Sequence, residues 1–261
     1  MSHHSPISLF ARVLGSEGNP PLIILHGLLG TSDNWQTLGK RFAESHEVHL
    51  LDQRNHGRSE HTAEHNYEAM ANDLLHYINN AGLEEIDLLG HSMGAKTALT
   101  FADQHPDRIH SLVIADMAAR AYSPHHQAIF EALVAAPITI AESRIEIEQF
   151  LLNKLHDASM VSFLMKNLKR SRSSGFQWRP NILVLKGALD SIVERVPLEI
   201  NTTPTLVIYG GDSNYVSSDD VDEFEEQCMQ LEIHRIEGAG HWLHASHPEE
   251  FYTAVNTFLD R

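Results

Sequence analysis

Short apolar, β-branched runs alternate along the chain with longer segments in which apolar residues recur every three or four positions. Leu22 to His26 is followed by Trp35 to Ala43, Val48 to Asp52 by Met70 to Ile78, and Ile86 to Gly90 by Met93 to Ala102. The series continues with Leu112 to Asp116 and resumes with Leu206 to Tyr209, Val221 to Met229, Ile233 to Ile236 and Phe251 to Leu259. The short runs read as strands and the periodic segments as helices. Parallel strands need crossover helices, and those helices cover the sheet, so the pattern predicts an α/β fold: a mostly parallel central sheet with helices on both faces.

Between Asp116 and Pro204 the alternation stops. Ile129, Leu133 and Val134, then Ile147, Phe150 and Leu151, then Phe163, Leu164 and Leu168 keep helical spacing with no clear strands between them. The expected organisation is a core domain of residues 1–117 and 204–261, with residues 118–203 inserted as a mainly helical unit. Ile182 to Leu185 is too short an apolar run, flanked by Pro180, Asn181 and Gly187, to be assigned to either type.

Composition narrows the function classes. Asp and Glu number 35 against 19 Lys and Arg, a formal net charge of −16, which repels a phosphate backbone or an anionic bilayer, so neither nucleic acid nor membrane is expected as a partner. The one cysteine, Cys228, permits no internal disulfide and builds no metal cluster alone. It falls on a predicted helix as a core residue, and the cytoplasm is the expected location. Met1 to Arg12 has no signal-like apolar stretch. The pairs His3 with His4 and His125 with His126 are too short to be metal sites and read as solvated.

The strongest local signal is Gly90-His91-Ser92-Met93-Gly94, a G-x-S-x-G pentapeptide between a predicted strand and a predicted helix. A serine on such a turn is lifted clear of the sheet, and side chains two residues to either side would collide there, hence the glycines. His26-Gly27-Leu28-Leu29-Gly30 follows the first strongly apolar strand and can aim the Leu28 amide at a developing oxyanion, with the Met93 amide, at a helix N-terminus, as its partner. A general base for Ser92 is expected late in the chain, and His241, in Gly238-Ala239-Gly240-His241-Trp242, follows the last strand. The nearby His244 and His247 would complete a metal triplet only if they shared a face, which a helix entry over Trp242 to Pro248 disfavours, so no metal is expected. Two aspartates compete to orient His241: Asp116, ending the strand after the elbow helix, and Asp212, after Gly210. Asp116 is favoured because a neighbouring strand end can present its carboxylate to the same imidazole.

Together these motifs resemble the α/β-hydrolase fold family from about Leu22 to Phe258, the insertion matching its variable cap. Asp52-Gln53-Arg54-Asn55-His56-Gly57-Arg58-Ser59 is similar to the family's D-x-R-x-x-G-x-S segment, which implies a structural role for Asp52 and Arg54. The Arg-Asn-His-Gly form, Asn66 to Met70 and His91 to Gly94 followed by Lys96 and Thr97 resemble a subgroup of small cytoplasmic or organellar esterases. The resemblance implies hydrolysis of short-to-medium acyl esters, and of acyl-CoA thioesters in some members, with no cofactor. The common family position for the acid is Ser213 in this chain; the subgroup implies Asp116 as the acid, with Ser213 beside the histidine.

Two other readings compete. Gly90 to Thr97 differs from a P-loop only by Ala95 in the second glycine position, with Lys96 as its lysine and Asp116 as a magnesium ligand. A noncatalytic ligand-binding protein on the same scaffold is the other, although its usual mark is a damaged triad. Phe130, Leu133, Phe150, Leu151, Phe163, Met165 and Leu168 could line an acyl pocket, but their helical period fits packing within the insertion better. Trp178 and Trp242 have no place assigned by the sequence.

Overall fold

Along Pro21–Leu25 the side chains of Leu22 and Ile24 enter one apolar cluster and those of Ile23 and Leu25 enter another. The two-residue period of a strand sends them to opposite faces, and all four are buried because both faces are covered. The computed structural model describes residues 5–124, 126–171 and 175–261; the sequence readings of His3, His4 and His125 lie outside these.

The strands in chain order are β1 (Phe10–Leu14), β2 (Pro21–Leu25), β3 (Glu47–Asp52), β4 (Ile86–His91), β5 (Ile109–Ala115), β6 (Leu168–Arg170), β7 (Phe176–Trp178), β8 (Thr205–Gly210) and β9 (Leu231–Ile236). The helices are α1 (Gln36–Phe42), α2 (Tyr67–Ala81), α3 (Met93–Gln104), α4 (Gln127–Ala135), α5 (Arg144–Leu155), α6 (Ala158–Met165), α7 (Ile182–Gly187), α8 (Leu189–Val193), α9 (Ser218–Gln227), α10 (Leu243–Ser246) and α11 (Pro248–Leu259). Seven strands form one sheet in the order β1-β3-β2-β4-β5-β8-β9. Every pairing is parallel except that of β1, which runs antiparallel to β3 at the edge. The alternation of the sequence is thus realised, with β1 as an unforeseen addition.

On one face α2, α3 and α9 contribute Met70, Leu74, Ile78, Phe101 and Phe224. On the other α1 and α11 contribute Leu38, Phe42, Val255 and Phe258. Local chemistry sets the helix ends. The Asn66 side chain accepts the Ala69 amide to begin α2, Gly82 at φ 69 ends it, and Ser217 with Asp220 forms a capping box on α9.

Residues 127–193 carry α4 to α8 and the β6-β7 hairpin. Phe130, Leu133, Leu151, Leu164 and Leu185 of this stretch form a third apolar cluster that also takes in Leu29. The undecided run at Ile182 to Leu185 is helical: the Asn181 backbone amide donates to the Asn55 carbonyl, which positions the start of α7. Cys228 is buried just past α9 and caps its end, not within it as the pattern suggested, and burial pushes its thiol up to about 11.

Below the site the loop after β3 is held by buried polar groups. Arg54 donates through Nε and Nη2 to Asp73, at 2.6 and 2.9 Å, and Asp73 also accepts the Ile7 amide. Both partners are almost wholly buried. Asp52 accepts the amides of Ser32 and Arg58, and a Cβ on Gly57, at φ 55, would lie 2.1 Å from Asp52 Oδ2. The D-x-R-x-x-G-x-S segment is accordingly a brace. Removing one partner of a buried ion pair strands the other, so Asp73→Ala is expected to cost about 3–5 kcal/mol in urea unfolding; a loss below about 1 kcal/mol would mean that Arg54 finds another partner.

Candidate active site

Five adjacent strands end at one place. Leu28 follows β2, Ser92 follows β4, Asp116 follows β5, Ser213 follows β8 and His241 follows β9, and these strands neighbour one another in that order. The carboxyl ends of parallel strands in an open sheet are where ligands bind, and neighbouring strands lie about 4.8 Å apart. Residues scattered over more than 200 positions therefore converge.

Ser92 occupies φ 54 and ψ −120 between β4 and α3. A Cβ on Gly90 would come 2.3 Å from the Gly94 carbonyl, and one on Gly94 would come 2.4 Å from the Leu25 carbonyl. Both glycines are thus required by close backbone approach, as the motif predicted. Ser92 Oγ lies 3.0 Å from His241 Nε2, and His241 Nδ1 lies 2.7 Å from Asp116 Oδ2. A carboxylate only accepts, so Nδ1 carries the proton and Nε2 is free to accept from the serine hydroxyl. Asp116 is fully buried at φ 49, with Oδ1 accepting the Gly210 amide and Oδ2 the Ser213 hydroxyl at 2.5 Å. Asp212, its competitor, is exposed.

The Gly27-Leu28 loop runs against the serine: a Cβ on Gly27 would lie 3.1 Å from Ser92 Cβ. In this loop the amides of Leu29, Gly30, Thr31 and Ser32 donate to His56 Nε2, the Gly27 carbonyl, Asn34 Oδ1 and Asp52 Oδ1 respectively. Among the described residues the Leu28 amide makes no such bond, and Met93 opens α3, where an amide has no acceptor within the helix. Two N–H groups beside the serine are thus left to meet an oxyanion.

Several supporting side chains escaped the sequence reading. Tyr215 stacks on the His241 ring at 3.8 Å between centroids and 16° between planes. His91 donates its Nε2–H to the His241 carbonyl, 2.8 Å away, and so fixes the backbone that carries the imidazole. His56 donates Nδ1–H to the Arg54 carbonyl and accepts the Leu29 amide at Nε2, which braces the Leu28 loop. His91 and Tyr215 tie together segments far apart in sequence, and although His91 and His56 lie inside the motifs quoted above, those motifs give no sign of these contacts. His244 stacks on Trp35 at 4.3 Å, and no group of three or more metal-ligating side chains is found among the described residues.

The P-loop reading is overturned. Lys96 is fully buried, its Nζ donating to the carbonyls of Arg120 and Glu194 with Tyr122 beneath it, and burial pulls the ammonium down to about 8. It cannot reach a phosphate from there. A cavity of about 520 Å³ opens over Ser92 and His241, with walls from Leu28, Ile129, Met160, Phe163 and Trp242. Of the seven apolar insertion residues considered, Phe163 alone lines it; Phe130, Leu133, Leu151, Met165 and Leu168 are buried in the insertion's own cluster and Phe150 packs against it. Trp178 donates to the Leu133 carbonyl inside the insertion, whereas Trp242 meets Phe163 at the cavity.

The profile of the alpha/beta hydrolase fold family matches residues 20–248. Esterase YbfF of Escherichia coli is 33% identical over 245 residues, 93% of this chain and 94% of that protein. The sn-1-specific diacylglycerol lipase ABHD11 of Mus musculus is 33% identical over 267 residues, 97% of this chain and 86% of that protein. Among solved structures, one described as a marine microorganism esterase superposes with a TM-score of 0.93 at 35% identity, covering 97% of this chain and 99% of that one.

The histidines around the site are kept neutral. Burial, as the leading cause, lowers His26, His56, His91 and His244 from 6.5, His91 to about 3, and His65 behind the loop also to about 3. Below about pH 6.5 the unfolded chain takes up protons that these folded rings refuse, so stability is full above that value and falls as pH drops toward about 3. Each ring contributes up to about 1.4 kcal/mol per pH unit. The melting temperature is expected to hold level from pH 8 to 7 and to drop steeply from pH 6.5 to 5; a level trace down to pH 5 would show these rings protonate in the fold.

Proposed function

Because this chain belongs to the alpha/beta hydrolase fold family, we propose that it is a serine carboxylesterase acting on short-to-medium acyl esters, and on the corresponding thioesters, through an acyl-enzyme. Its relatives named as esterases and lipases make it a hydrolase; the observation that carries the finer reading is the line of hydrogen bonds Ser92 to His241 to Asp116. Ser92 Oγ attacks the ester carbonyl carbon while its proton passes to His241 Nε2. The carbonyl electrons move to oxygen, which the Leu28 and Met93 amides stabilise. The imidazolium hands its proton to the departing alkoxide or thiolate, and water repeats the sequence to free the acid. Asp116, fixed by Gly210 and Ser213, keeps the proton on Nδ1 and offsets the charge of the ring. No step calls on a cofactor.

In the same reading residues 118–203 form a cap over the core of residues 1–117 and 204–261, and Phe163 places that cap in contact with the substrate. No described helix is long and apolar enough to cross a membrane. A cytoplasmic location belongs to this proposal, resting on the net charge and single cysteine.

A fluorophosphonate probe should add once to the protein, as read by intact mass, and not at all to Ser92→Ala, with turnover of p-nitrophenyl butyrate falling at least about ten-thousandfold. Asp116→Asn should lose about as much by holding the wrong imidazole tautomer, while Asp212→Asn stays within about twofold. Probe adduct on Ser92→Ala, or full activity in Asp116→Asn, would sink the corresponding assignment.

A further inference from the structure

The cavity reverses the charge of the protein around it. The chain has 35 Asp and Glu, yet among the described residues none lines the 520 Å³ cavity, and Lys166 is the one described Lys or Arg that does. Among the described residues Lys166 forms no ion pair with a carboxylate. An ammonium without a counter-ion in the wall of a substrate cavity is poised for an anionic ligand.

The backbone that carries it is anchored at the end of α6. Ser159, Ser162, Phe163 and Lys166 share the face of α6 that borders the cavity, spaced as one helical stripe. The stripe runs about 10 Å, at about 1.5 Å per residue. The next residue, Asn167, donates its side-chain amide to the Leu29 carbonyl at 2.6 Å, which pins this end of α6 to the loop bearing the proposed oxyanion donor Leu28. Lys166 lines the same cavity as Trp35 and His244, whose rings stack on each other. Asn34 stands in that wall with its Oδ1 already taken by the Thr31 amide, which leaves the donor end, Nδ2, available. The polar groups offered at this side are therefore donors, as a carboxylate requires.

We propose that Lys166, with Asn34 of the same cavity lining, forms a subsite for a carboxylate carried by the ester substrate, remote from the bond that is cleaved. This deepens the esterase reading and rests on it: the substrate class is an ester of a dicarboxylic acid or of a hydroxy acid, with its second carboxyl group ionised. A contact away from the reacting carbon binds ground state and transition state alike, so it lowers KM and leaves kcat little changed.

Two ester pairs test this and tell acyl-side from alcohol-side placement: monomethyl adipate against methyl hexanoate, and 4-acetoxybutanoate against butyl acetate, followed by acid release. In at least one pair kcat/KM should favour the carboxylate ester about threefold to fivefold, as one solvent-accessible ion pair gives. Lys166→Met should collapse that ratio through KM, Lys166→Glu should invert it, and Lys166→Arg should keep it. A ratio untouched by Lys166→Met, or a loss shared equally by both esters of a pair, would overturn the proposal. Calorimetric binding of adipate separates the two levels of inference. If the protein hydrolyses neither p-nitrophenyl butyrate nor any of the four esters, the esterase reading fails; the subsite then stands if Lys166→Met weakens adipate binding severalfold and falls if it does not.

Discussion

Ser92 holds φ 54 and ψ −120 while carrying a Cβ, a conformation that costs of order 1–3 kcal/mol and persists only where the surroundings over-determine it. Here they do so from three sides. Gly90 and Gly94 let β4, the elbow and β2 approach within distances no side chain would tolerate. Helix α3, from Met93 to Ala102, is buried along its length, so the turn cannot relax without exposing that helix. The Ser92 amide donates to the Ala115 carbonyl, one residue before Asp116. Asp116 itself sits at φ 49, its amide held by Ile208 and its carboxylate by Gly210 and Ser213. The strained residues at the ends of β4 and β5 are tied to each other and to β8, which fixes both ends of the His241 imidazole.

The remaining histidines around the site serve as neutral struts. A ring that accepts at one nitrogen and donates at the other is locked in one tautomer, and a second proton would break one of those bonds. His56 is held this way between Leu29 and Arg54, and His26 between the Gln53 amide and the Gly27 carbonyl. His91 spends its single donor on the His241 carbonyl. His241 differs because one nitrogen faces a carboxylate and the other an alcohol. Burial and fixed hydrogen bonds thus set these histidines apart from His241 without any difference in residue type.

What the sequence disclosed follows from the range of each signal. The sheet and its crossover helices were readable because β2, β4, β5 and β8 are buried on both faces and each carries an apolar run, such as Leu88 and Leu89 in β4 and residues 112–115 in β5. Strand β1 was not, because its five residues are mostly half-exposed and include Arg12, so neither an apolar run nor a clean alternation marks it. The six residues of α7 are too few to show a period, and the contact that starts the helix comes from Asn55, 126 positions away. At the site, Ser92 and His241 carry their own local motifs. Asp116 could be read because β5 follows the elbow helix directly. His91, His56 and Tyr215 act through contacts that exist only once the strands have been ordered, and a single sequence carries no trace of them.

The charge of the molecule sets a condition on the proposed subsite. A body of formal charge −16 repels a carboxylate at long range, so Lys166 cannot act by steering its ligand from solution. At about 0.1 M salt the Debye length is about 10 Å, which screens the distant acidic surface while leaving a contact pair in a partly enclosed cavity largely intact. Recognition must then be short-ranged: the anion arrives by diffusion against a weak barrier and is retained by the ammonium and the Asn34 amide. The two effects oppose each other in ionic strength. Moderate salt removes the barrier before it weakens the contact, so an anionic ester gains from the first salt added, whereas a neutral one of the same shape is indifferent. An acidic surface around a cavity free of carboxylates therefore selects by contact inside the cavity, and the place where that contact is made is the end of α6 that Asn167 pins to the Leu29 carbonyl.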